Sequence, residues 1–126
     1  MHAKQLIQIV ALSLWALTLN PAMAHGAGQP RHGGIVQVAS DVNFELVAEA
    51  DGATLYLVDH DKPMSSKGIT GKLTVLQGGK KSEVDVKEVG GNTLRATGIK
   101  LGKGDKVVAV LNNVEGKTVT VRFTVK

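Results

Sequence analysis

Apolar and polar residues alternate with a period of two along most of the chain beyond residue 34. Val42, Phe44, Leu46, Ala48 and Ala50 are interleaved with Asn43, Glu45 and Glu49, the pattern of a half-buried strand. The next two residues, Asp51-Gly52, form a two-residue turn signal, after which Ala53 to Val58 returns as the second arm of a hairpin. The cleanest alternation comes last, with Val119, Val121, Phe123 and Val125 on one face and Thr118, Thr120, Arg122 and Thr124 on the other. Shorter runs over 35–38, 72–77, 82–89, 93–97 and 106–112 complete the set. They are separated by glycine pairs and by Asn92 and Glu115-Gly116, which suit turns. No stretch beyond residue 24 keeps a 3.6-residue period for three turns.

This pattern predicts an all-β domain over residues 35–126, a single two-sheet β-sandwich of seven or eight short strands. A small β-barrel is the alternative way of burying the same faces. Phe44, Leu46, Leu55, Leu57, Val121 and Phe123 are expected to share one core, with Tyr56 as its third aromatic.

The first 24 residues read differently. Lys4 and the amino terminus give a short positive region, Leu6 to Leu19 is almost continuously apolar, and Asn20-Pro21 breaks the run. Ala22-Met23-Ala24 then supplies the small-x-small pattern of a signal peptidase site. The apolar run is short of the roughly 20 residues that span a bilayer. Residues 1–24 are therefore expected to be a cleaved secretory signal peptide, and residues 25–34 a leading segment rich in glycine and histidine. No second run of membrane length follows, so no stable membrane insertion is expected after processing.

Composition narrows the function classes. Fifteen basic residues stand against eleven acidic ones, and the lysines are spread over turns and strand ends without interleaved aromatics. Such a surface makes no nucleic-acid footprint. Cysteine is absent, which removes thiolate metal sites, thiol catalysis and disulfides. The chain carries no nucleophile elbow, phosphate-binding loop or zinc-protease motif, and an enzyme is not expected.

Histidine is the informative residue type. His25 would become the first residue after cleavage, where its α-amino group and imidazole can chelate one metal ion. His32 follows in Arg31-His32-Gly33-Gly34, and His60 lies between Asp59 and Asp61 at the end of the second hairpin arm. Two or three imidazoles, an amine and a carboxylate make a nitrogen and oxygen set suited to Cu(II), Ni(II) or Zn(II). The predicted ligands are His25, His32 and His60, with Asp59 or Asp61 as an oxygen ligand or orienting partner.

The His32-Gly33-Gly34 opening, Phe44-Glu45-Leu46-Val47, the Leu55-to-His60 segment and the Gly68-to-Leu73 return resemble a group of small periplasmic proteins of Gram-negative bacteria associated with heavy-metal efflux. The likeness covers about the first half of residues 25–126, and similar His-Gly-Gly openings occur in adaptor subunits of cation-efflux pumps. It implies a periplasmic location, reached across the inner membrane, and a role in copper, zinc, cobalt or nickel handling beside a metal-efflux complex. On this reading the chain is a soluble periplasmic binding protein for a divalent transition metal, supporting efflux or resistance, with Cu(II) or Zn(II) as its cargo. The competing reading is a metal-free periplasmic module that docks onto an envelope complex.

Overall fold

The computed structural model describes residues 28–126, and the signal-peptide assignment and His25 lie outside them. Nine strands make up the regular structure of this region. They are β1 (Ile35–Ala39), β2 (Val42–Glu49), β3 (Gly52–Asp59), β4 (Lys62–Pro63), β5 (Thr70–Gln77), β6 (Lys80–Gly90), β7 (Thr93–Thr97), β8 (Lys106–Val114) and β9 (Lys117–Thr124).

The protein is all-β, as the alternation predicts. Its strands form one antiparallel path in the order β1-β2-β3-β7-β6-β5-β8-β9, with β4 attached to β3. The two predicted sheets are thus continuous with each other. Eleven-residue β6 makes the join, because Lys80 to Val86 pairs with β5 while Lys87 to Gly90 pairs with β7. The ladder slips between Glu88 and Gly90, a bulge that helps the strand turn the corner. With β1 and β9 brought side by side, the sheet becomes a nearly closed barrel.

The core follows from the period of two. Phe44, Leu46, Leu55, Leu57, Val121 and Phe123 are all buried, joined by Leu73, Val75, Leu94, Val107 and Leu111 from the other strands. Tyr56 departs from expectation. Since Leu55 and Leu57 face inward, the residue between them must face out, and Tyr56 is only half-buried, on the outer surface.

The β2–β3 turn also differs from its predicted position. Glu49 pairs with Gly52, so Ala50 and Asp51 make the turn and Gly52 already belongs to β3. Glycine is needed there for close approach, because a Cβ would run into the Ala96 carbonyl of β7. Moving a register by two residues preserves which face each side chain occupies, which is why the core prediction survives.

His60 and Asp61 form the two-residue turn between β3 and β4, with φ of 50° and 67°. Two consecutive residues at positive φ give the primed turn whose twist matches the flanking strands.

Candidate functional site

The leading segment lies across the outer face of β2 and β3, and one side chain holds it there. Glu45, expected to face solvent, is 5% exposed beneath it. Its Oε1 accepts the Arg31 backbone N–H at 3.0 Å, and its Oε2 accepts those of His32 at 2.9 Å and Gly34 at 2.8 Å. The His32 ring adds a fourth donor, with Nδ1 3.2 Å from Oε1. Gly34 is required at this docking point, since a Cβ would meet the Leu46 carbonyl.

Burial alone would raise the Glu45 pKa. Hydrogen bonds from the Gly34, Arg31 and His32 amides and from the imidazole outweigh it, and the carboxyl is held below its ordinary value. Glu45 is thus an anion that organises the backbone around it, and the carboxylate accepts every bond it makes.

Tyr56 sits directly opposite Glu45 in the β2–β3 ladder. The His32 ring stacks on it with centroids 3.6 Å apart and planes 6° from parallel. His32 is therefore fixed in plane by Tyr56 and in rotation by Glu45. Because a carboxylate can only accept, Nδ1 carries the proton of that bond, and Nε2 is the ring nitrogen left without a protein partner among the described residues. The His32 side chain is 41% exposed.

His60 repeats the arrangement at the turn. Its Nδ1 donates to Asp59 Oδ1 at 2.6 Å, and the ring is otherwise in solvent. Asp59 thus holds the His60 ring as Glu45 holds that of His32. Asp61 contributes its backbone carbonyl, which accepts Arg31 Nη2 at 3.0 Å and ties the leading segment to the His60 turn. A narrow cleft lies between these elements, lined by Gly28, Gln29, Arg31, Asn43, Glu45 and Asp61.

The predicted ligands are thus divided between two carboxylate–histidine pairs, His32 with Glu45 and His60 with Asp59. Among the described residues no three His, Asp or Glu side chains are gathered around one point. His25, the remaining predicted ligand, lies outside the described residues. Sequence reading missed Glu45 and Tyr56. The signal available was their position: a carboxylate and the chain's one tyrosine on the outer faces of paired strands.

Comparison with models of known protein families, with curated proteins and with solved structures finds no match. No helix among the described residues is long and apolar enough to cross a membrane.

Proposed function

We propose that this protein is an exported, periplasmic carrier or buffer for a divalent transition metal, Cu(II) or Zn(II), working beside a metal-efflux system. The observation that carries this reading is the state of the two histidines. Each donates a hydrogen bond from Nδ1 to a carboxylate, Glu45 or Asp59, and leaves Nε2 without a protein partner among the described residues. Metal-binding histidines are commonly held in this way, because the second partner fixes the tautomer and raises the basicity of the ligating nitrogen.

Chain connectivity supports a shared role for the leading segment and the turn. The Gly28 amide donates to Asn43 Oδ1 at 2.9 Å, and Asn43 opposes Val58, two residues before His60. An α-amine and imidazole from His25 with Nε2 of His32 or of His60 would make a three-nitrogen set that borderline metals favour. The signal-like residues 1–24 and the likeness to efflux-associated proteins support the compartment.

The test is thermal. Cu(II) or Zn(II) at neutral pH should raise the melting temperature, since a ligand of the native state stabilises it by mass action. H32A, H60A and removal of His25 should each reduce the gain. An unchanged melting temperature with and without metal in the wild type overturns the proposal.

A further inference from the structure

Lysines that the sequence spreads over turns and strand ends are gathered by the fold. β2, β5, β7 and β9 finish at one end of the barrel, where β3, β6 and β8 begin. The Gly98 amide donates to the Asp51 carbonyl there at 2.9 Å, and Gln77 Nε2 donates to the Lys100 carbonyl at 2.7 Å. The loop after β7 is thereby tied to both neighbouring hairpins. Lys80 and Lys81 follow the β5–β6 turn, Lys100 and Lys103 lie in that loop, and Lys106 opens β8. Lys81 and Lys106 pair with Leu76 from either side.

All five lysines are exposed, and none makes an ion pair among the described residues. Carboxylates at this end are already engaged. Asp105 accepts from Gln77 Nε2 and from the Gly102 amide, each at 2.7 Å, while Glu49 and Asp51 face Arg95. The opposite end mixes signs, with Asp41, Asp59, Asp61 and Glu115 among Lys62, Lys67 and Lys117. Two features suit the lysine-rich end to a broad, flat partner. Its tips carry Gly78, Gly79, Gly102 and Gly104, which put no side chain in the way. Leu76 is 42% exposed between Lys81 and Lys106, an apolar group set among cations. Residues 78–81 and 98–106 hold no aromatic ring, so single-stranded nucleic acid would find no stacking platform.

We propose that the lysine-rich end of the barrel docks on the anionic headgroups of a phospholipid bilayer, leaving the His60 turn, at the far end of β3, facing away from it. Lysine is a compact charge on a flexible stem and needs no fixed partner geometry. Headgroups that move laterally can gather under lysines held on separate turns, whereas a folded acidic protein has to match each position. The attraction acts within a Debye length of the surface, and Leu76 adds apolar contact at the headgroup boundary. The docking is peripheral and requires no bound metal.

The experiment is co-sedimentation of the full chain with lipid vesicles. Vesicles of equal parts phosphatidylglycerol and phosphatidylcholine should bind it at least about tenfold more tightly than phosphatidylcholine alone, and added salt should remove the difference. K80E/K81E and K100E/K103E alter exposed side chains only. Each should keep the wild-type fold and lose at least about tenfold in affinity for the anionic vesicles. K67E/K117E makes the same change in net charge at the opposite end and should bind as wild type does. In NMR spectra, a spin-labelled headgroup should broaden amides of residues 78–81 and 100–106 and spare residues 60–62. The proposal is overturned by equal binding to the two vesicle types, or by K67E/K117E weakening it as much as the other variants do. Broadening centred on residues 60–62 overturns it too. So does tighter binding to a DNA duplex or to polyglutamate than to the vesicles, at equal concentration of negative charge.

Discussion

Glu45 and Tyr56 stand opposite each other on the outer face of the β2–β3 hairpin, and together they fix His32. The carboxylate binds the edge of the imidazole and the backbone on either side of it, while the phenol ring covers its face. A cross-strand pair, itself set by hairpin register, thereby turns a glycine-rich leading segment into part of the folded surface. The arrangement ties the leading segment to the sheet.

Replacing the charge of Glu45 should loosen the leading segment. In E45Q four donors lose an anionic acceptor, and the new amide brings N–H groups of its own toward them. Hydrogen bonds to a buried charged group each contribute roughly 1.5–3 kcal/mol. The net cost in urea denaturation should be on the order of 1–3 kcal/mol, with faster amide exchange at residues 31–34. A change below about 0.5 kcal/mol, the range of ordinary surface substitutions, would show that Glu45 does not hold the segment.

The same carboxylate sets a pH dependence. Its folded-state pKa lies below the ordinary 4.5, so it binds protons less readily folded than unfolded. The stability it confers is complete above pH 4.5 and is lost as pH falls through the folded-state value. Asp105, held low by the Gln77 side chain and the Gly102 amide, adds a trend of the same sign. Comparing wild type with E45Q below pH 4.5 reads the carboxylate: the gap in urea midpoint should close as pH falls through that range. A gap that widened below pH 4.5 would contradict the assignment.

His60 is a turn residue and, on the proposed function, also a metal ligand. Its φ of 50° suits glycine better than a side chain. H60G should therefore fold with equal or slightly greater stability, while losing much of the metal-dependent gain in melting temperature. Strong destabilisation without metal would mean that the His60–Asp59 bond contributes more to the turn than backbone preference does.

Much of this fold was legible in the alternation, because burial selects faces and faces repeat every two residues. Phe44, Leu46, Leu55 and Leu57 could be assigned to the core without knowing how strands pair. Whether two sheets separate or join was not legible, since that depends on β6 bending between partners on either side of Glu88. At the site, His32 and His60 were legible as residue types. Glu45 was not, because a polar residue at an outward position is normally solvated, and only the leading segment folding over it makes it buried. Tyr56 could have been placed outside by the same period of two that put Leu55 and Leu57 inside, had its ring not suggested core.

Gly52 tests the register of the hairpin. With the turn at Ala50-Asp51, Gly52 packs against the Ala96 carbonyl, and G52A should force β3 and β7 apart. Overpacking of this kind costs typically 1–3 kcal/mol or more. Chemical denaturation of G52A checks this, and a stability within about 0.5 kcal/mol of wild type would contradict the close approach.

The central claim, that His32 and His60 offer Nε2 to a metal while carboxylates hold Nδ1, is tested most directly by imidazole ¹⁵N NMR during a Zn(II) titration. The predicted result is that Nε2 of both rings shifts on metal binding, while Nδ1 of both keeps the signature of a protonated donor. Imidazole spectra of His32 and His60 that stay unchanged at saturating Zn(II) would contradict it.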